Sequence, residues 1–172
     1  MAKHHRIFLL LGSNIEPRVE YLTGVKNLIN KELGRIEMQS SVYESEPWGF
    51  DAELAFVNQV VQISTEHEPV SLLEKCQQIE KQLGRKEKSG TEYESRVIDI
   101  DILYFDESII TLKNLQIPHP QIQFRRFTLM PLAEVAPDFM HPGLKRTSQE
   151  LLNECTDQGK VWKFKSGRLH EI

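Results

Sequence analysis

The chain has 172 residues, a length that suits one domain, and its 40% hydrophobic and 27% charged residues are the mix of a packed core under a solvated surface. A net charge of −4 argues against a general nucleic-acid binder, and no apolar run is long enough to span a bilayer. The two cysteines, Cys76 and Cys155, make no disulfide framework; with no export signal ahead of the first strand the expected compartment is the cytoplasm, and both thiols read as small core residues.

Ile7–Leu11 is a continuous apolar run that ends at Gly12-Ser13-Asn14, the pattern of a buried strand. Glu16 and Pro17 suit the first turn of a helix whose apolar stripe is Leu22, Val25, Leu28, Ile29 and Leu33, with Gly34 at its end. Ile36 to Tyr43 reads as a second strand. Residues 44–52 form a loop with Pro47, Trp48, Gly49 and Phe50, whose aromatics either anchor it on the core or touch a ligand. Phe56 to Thr65 is a third strand, with Phe56, Asn58, Val60 and Gln62 on one side and Val57, Gln59, Val61 and Ile63 on the other. Asparagine is disfavoured in strands, so Asn58 marks either an exposed edge or a hydrogen bond to a ligand. Pro69 opens a second helix that turns Leu72, Leu73, Cys76, Ile79 and Leu83 inward and is capped by Gly84; Gln77 and Glu80 lie on its flank. Arg85–Ser95 is a charged loop with Lys86, Lys88, Ser89 and Gly90, long enough to act as a lid.

The stretch from Arg96 to Phe105 is rich in β-branched and aromatic residues and fits no helical spacing. Read as a strand, it puts Val97, Asp99, Asp101 and Leu103 on one face and Ile98, Ile100, Ile102 and Tyr104 on the other, which should be buried. Asp99 and Asp101 then stand side by side, with roughly 7 Å between Cα atoms. Ionised carboxylates held this close repel, and a hard divalent cation relieves the repulsion. A merely solvated strand face is the alternative. After Glu107-Ser108, Ile109-Ile110 suits a short hairpin partner. Lys113 to Arg126 holds Lys113, Arg125, Arg126 and His119 but no acid, and Pro118 and Pro120 stiffen the turn that presents His119. Leu129 to Ala136 reads as a helix broken by Pro137. Thr147 and Glu150 have capping-box spacing for a helix to Cys155, and Val161-Trp162-Lys163-Phe164 suits a last strand.

An acid pair between two basic, mobile or His-bearing segments suits a metal–polyphosphate site, although neither a GxxxxGK[ST] loop nor a kinase-type glycine loop is present. Trp48, Phe56 and Phe127 with Asn58 can line a pocket for a flat polar ring.

In their order, these pieces resemble the 6-hydroxymethyl-7,8-dihydropterin pyrophosphokinase family. The residues that carry the resemblance are Leu11-Gly12-Ser13-Asn14, Tyr43-Glu44-Ser45-Glu46-Pro47-Trp48-Gly49, Phe56-Val57-Asn58, Ile79-Glu80 with Leu83-Gly84-Arg85, Arg96-Val97-Ile98-Asp99-Ile100-Asp101-Ile102-Leu103, Ile117-Pro118-His119-Pro120, and Arg125-Arg126-Phe127 leading to Pro131-Leu132, over about residues 7–140. The resemblance implies an α+β, ferredoxin-like antiparallel sheet with helices packed on one face, in one domain over residues 1–172. It implies an Mg2+-dependent enzyme of folate biosynthesis that moves pyrophosphate from ATP to 6-hydroxymethyl-7,8-dihydropterin, with AMP leaving. Asp99 and Asp101 would bind two Mg2+ ions, and Arg96, His119 and Arg125 would contact the phosphates. Gln77, Glu80, Arg85, Lys88, Tyr93 and Ile102 would lie at ATP. Gly12, Ser45, Glu46, Trp48, Phe56, Asn58 and Phe127 would hold the pterin. The protein would be a cytoplasmic monomer with no nucleic-acid or membrane partner.

The chain departs from the family at Glu87, where many members carry a second arginine, and at Tyr93-Glu94-Ser95-Arg96, where they approach the aspartate strand with Trp-Gly-Pro-Arg. Two other readings explain less. A nucleotide-sugar transferase built on the Asp-x-Asp pair would not require Asn58 and the Trp48 loop. A non-catalytic ferredoxin-like module would not require the acid pair beside an acid-free basic segment.

Overall fold

The structure, a computed structural model, describes residues 3–46, 55–84 and 97–165. Its centre is β1 (His5–Ser13), which lies between β5 (Asp99–Phe105) and β4 (Phe56–Thr65), both antiparallel to it. The run Ile7-Phe8-Leu9-Leu10-Leu11 is apolar at every position because both faces of this strand are buried. Ile7, Leu9 and Leu11 face α1 (Arg18–Glu32) and α2 (Pro69–Gln82), together with Val61, Ile63, Ile98, Ile100 and Ile102 from the neighbouring strands. Phe8 and Leu10 face α3 (Arg126–Val135) and α4 (Ser148–Glu154), together with Val60, Leu103 and Tyr104.

The expected α+β antiparallel sheet with helices on one face is present as α1 and α2, and α3 and α4 join it on the opposite face. The second strand is not continuous. It is β2 (Gly34–Gln39) and β3 (Tyr43–Ser45), both paired with β4, and the break falls at Ser40. Ser40 bonds across to β4 instead, exchanging with Val60 through its own N–H and its hydroxyl and accepting the Gln59 amide on its carbonyl. The first helix ends one residue earlier than the sequence suggests, at the C-cap Leu33. Gly34 already belongs to β2, where a Cβ would run into the Ser64 carbonyl.

Two expectations about the aspartate strand are corrected. The register of β5 against β1 slips between Phe8 and Leu9, so Leu103 is an extra residue and the alternation reverses beyond it. Tyr104 therefore packs with the α3–α4 core and Phe105 with the α1–α2 core, the opposite of strict alternation. The segment after β5 is not its hairpin partner. β6 (Ile110–Leu112) pairs with β7 (Leu115–Ile117) in a separate two-stranded sheet. The chain closes with β8 (Val161–Lys163) on the outer edge of β3. No helix of the described residues is long and apolar enough to cross a membrane.

Candidate active site

Residues paired across antiparallel strands share a face. The pairs Asp99↔Gly12, Gly12↔Asn58 and Asn58↔Tyr43 therefore make one row across β5, β1, β4 and β3, on the face that carries α3. The next row is Asp101↔Leu10 and Leu10↔Val60, already part of the α3–α4 core. The aspartates thus project side by side just beyond that core, both half-buried.

Asp99 and Asn58 are separated by two strand spacings, about 10 Å. Gly12 is the floor between them. A Cβ there would lie 2.7 Å from Asn58 Nδ2, so the amide lies over the glycine and any larger residue would displace it. Asn58 is 5% exposed on a central strand, which excludes the exposed-edge explanation for it. The buried Ser45 lies beside it and donates its hydroxyl to Asn58 Oδ1 at 3.5 Å. Phe56 pairs with Ser45 at the end of the same strands.

The turn that presents His119 is fixed on the edge of β5. The His119 N–H donates to the Leu103 carbonyl at 3.0 Å, two residues beyond Asp101. Its Nδ1 accepts the Gln121 N–H at 3.1 Å. A neutral imidazole that accepts at Nδ1 carries its proton at Nε2, so this ring offers a donor outward. It is held neutral: burial first, then the Arg125 charge, push its pKa down to about 4. Arg125 is the N-cap of α3 and its guanidinium lies 5.5 Å from the Phe127 ring centroid.

Behind the aspartates, the buried Glu80 of α2 accepts the Ile100 N–H on Oε2 at 2.8 Å. It fastens α2 to β5 between Asp99 and Asp101. Gln77 on the same helix is exposed. Cys76 is buried, and burial, with the Glu80 and Asp101 charges, pushes its thiol up to about 12, which suits a core residue and not a nucleophile.

The structure thus brings together Asp99, Asp101, His119, Arg125 and Glu80 along β5, and Gly12, Ser45, Phe56 and Asn58 across β1, β4 and β3. It does not bring the Ile102 side chain to them, since that is buried against α1 and α2. Trp48, Arg85, Lys88, Tyr93 and Arg96, with the expected lid, lie outside the described residues. Among the described residues no group of three or more His, Cys, Asp or Glu side chains converges as a metal site. The donors offered are the two carboxylates, the set a hard cation uses when phosphate oxygens and water complete its shell.

Two acids at the site's periphery, Glu134 and Asp157, carry no local sequence signal. Glu134 accepts from the Ser41 N–H and hydroxyl at 2.9 and 3.0 Å and from the Tyr43 hydroxyl at 2.6 Å, which fastens α3 to β3. Arg126 and Asp157 bond to each other at the other end of α3. Only the sequence separations of 91 to 93 and 31 residues, closed by folding, make these visible.

The sequence model of the 7,8-dihydro-6-hydroxymethylpterin-pyrophosphokinase (HPPK) family matches residues 8–137. Among curated proteins, the chain is 38% identical over 151 residues to a 2-amino-4-hydroxy-6-hydroxymethyldihydropteridine pyrophosphokinase of Aquifex aeolicus, covering 87% of this chain and 92% of that one. It is 41% identical over 138 residues to the protein of the same description from Porphyromonas gingivalis, covering 79% and 93%. Among solved structures, it resembles the wild-type HPPK-DHPS of Plasmodium falciparum with pterin and p-hydroxybenzoate, with a TM-score of 0.73 and 20% identity, a likeness of fold. That match covers 88% of this chain and 42% of the longer one.

Proposed function

This chain belongs to the 7,8-dihydro-6-hydroxymethylpterin-pyrophosphokinase family and transfers pyrophosphate from ATP to 6-hydroxymethyl-7,8-dihydropterin in folate synthesis, and on that premise we propose that one row of its sheet divides the work, with ATP phosphates at Asp99 and the pterin at Asn58. The observation that supports this most is the register Asp99↔Gly12↔Asn58, an acid and a buried amide either side of a bare glycine. Asp99 and Asp101 would hold two Mg2+ ions, which supply charge screening for a polyphosphate when bound. The Nε2–H of His119 donates to the oxygen bridging the α- and β-phosphates, and a neutral ring can do this without attracting a second anion. Arg125 and Arg96 neutralise phosphate charge. Glu80 acts by holding β5 at Ile100, and Gln77 flanks the nucleotide.

On the other side of Gly12, the Asn58 amide both donates and accepts, as a pterin's amide edge requires. Main-chain groups at Ser45 and Glu46 complete that edge, and Phe127 and Phe56 stack on the ring. The hydroxymethyl oxygen is thereby held toward the phosphates, and positioning of this kind carries most of the rate in such transfers. Arg85, Lys88, Tyr93 and Trp48 are kept as further ligand contacts, the first three at ATP. We take the working unit to be a cytoplasmic monomer; the free thiols of Cys76 and Cys155 suit a reducing compartment, and the net charge disfavours nucleic acid.

The test is AMP release from ATP and Mg2+ that depends on the reduced pterin. Asp101→Ala should cut turnover by at least about a hundredfold while leaving pterin affinity nearly unchanged. Asn58→Leu should weaken pterin more than about tenfold and leave ATP affinity unchanged, because a buried ring edge loses its partners. Near-normal turnover of Asp101→Ala at saturating Mg2+ would remove the metal assignment. Equal losses of both ligands in Asn58→Leu would make it a folding residue.

A further inference from the structure

The family match ends at residue 137, yet the chain continues into a segment that returns to both walls of the pterin slot. Residues 155–160 pass the start of α3, and β8 then pairs with β3 in the register Ser45↔Val161, Glu44↔Trp162 and Tyr43↔Lys163.

At the α3 end the contact is a helix cap supplied from 31 residues away. Arg125, the N-cap residue, makes no side-chain cap of its own. The N–H of Arg126, first in the helix and without an intrahelical partner, donates to Asp157 Oδ2 at 2.9 Å. A carboxylate here also meets the positive end of the helix dipole. The Arg126 side chain closes the clamp, with Nε donating to the Asp157 carbonyl at 3.1 Å and the guanidinium to the Cys155 carbonyl at 3.5 Å. Asp157 Oδ1 accepts the Gly159 N–H at 2.8 Å, which folds the segment into a tight turn.

At the β3 end the Lys160 N–H donates to Glu46 Oε1 at 2.6 Å, and the Glu46 N–H donates back to the Lys160 carbonyl at 3.3 Å. Trp162 Nε1 donates to Glu44 Oε1 at 2.7 Å. One short segment is therefore bonded to the helix end that carries Arg125 and Phe127 and to the strand end that carries Ser45 and Glu46.

We propose that residues 155–164 are a strap that sets the distance between Phe127 and the Ser45–Asn58 wall, with Asp157 as a positioning residue for the pterin. The proposal rests on the pterin assignment made above. A stacked ring is sensitive to this distance, since a gap of ~0.5–1 Å forfeits about a quarter to a half of a dispersion contact. Phosphates held by charge along β5 are much less sensitive, because Coulomb energy falls only with the first power of distance.

The full-length chain is titrated with oxidised 6-hydroxymethylpterin in the presence of a saturating non-hydrolysable ATP analogue and Mg2+, and with the analogue alone. Asp157→Ala is expected to weaken the pterin about tenfold and to change the analogue's affinity by less than about twofold. Asp157→Asn keeps one of the two acceptors and recovers part of the loss. Should Asp157→Ala fail to fold, Gly159→Ala serves in its place. Its new Cβ would lie 3.1 Å from Asp157 Oδ1 and nudge the carboxylate, giving a smaller loss in the same direction. Unchanged pterin affinity in the folded variants, or equal losses of both ligands, would overturn the strap. A wild-type chain that binds the analogue but not the pterin would instead overturn the slot itself, and the strap with it.

Discussion

His119 shows how neighbours set the state of a single ring before any ligand arrives. Its backbone N–H is spent on the Leu103 carbonyl and its Nδ1 on the Gln121 N–H. Its charge is suppressed first by burial and then by Arg125. The consequence is measurable without substrate. A group whose folded pKa lies below its unfolded value takes up a proton first in the unfolded chain, so it destabilises the fold as pH falls from about 6.5 toward about 4. Above that window it costs nothing. His119→Gln should therefore remove an acid-side loss of up to about 1.4 kcal/mol per pH unit, read as the difference between wild-type and variant urea stabilities at pH 7, 6 and 5. Parallel curves would show that the ring is solvated in the folded protein.

At the scale of elements, α3 is tied down near both of its ends. It is fastened to β3 through Glu134 near its C-terminus and through Asp157 at its N-terminus. Burial alone would raise the Glu134 pKa, but the hydrogen bonds from Tyr43 and Ser41 outweigh it and hold the carboxyl below the usual range. Tyr43 is raised by burial and by the same partner. A double-mutant cycle with Tyr43→Phe and Glu134→Gln should return a coupling of about 1 kcal/mol, modest because Glu134 is exposed. A coupling near zero would show that the Tyr43–Glu134 bond does not help to hold the helix. α4, by contrast, is secured locally, since Thr147 and Glu150 form the complete capping box that their spacing announces.

For the whole molecule, β1 is the shared partition of two cores. Leu9 is 0% exposed on the α1–α2 side and Leu10 4% exposed on the α3–α4 side, one residue apart. A perturbation on either side must therefore reach the other through one backbone. Leu9→Ala and Leu10→Ala should each cost about 3 kcal/mol. In both variants far-UV circular dichroism and tryptophan fluorescence should report one coincident transition. A separate early transition in Leu10→Ala would mean that α3 and α4 fold as an independent layer.

What the sequence determined by itself is what local chemistry determines. A continuous apolar run marked β1, two alternating faces marked β4, the 3.6-residue stripes marked α1 and α2, and the i, i+2 spacing put Asp99 and Asp101 on one face. The ordered motifs from Leu11 to Leu132 were specific enough to indicate the family, and the family match over residues 8–137 agrees with them. Tertiary structure decided what depends on register and on closure between distant segments. The bulge at Leu103 sends Tyr104 and Phe105 to faces that alternation assigns the other way. The location of Asn58 on a central strand, over Gly12, follows from strand order, which no local pattern encodes. The bonds at Glu134 and Asp157 join residues that the sequence keeps 91 and 31 positions apart, and their carboxylates look like ordinary surface acids until the chain brings a backbone N–H or a hydroxyl within 3 Å of them. A carboxylate's role is set by the donors it meets, and only the folded chain supplies those.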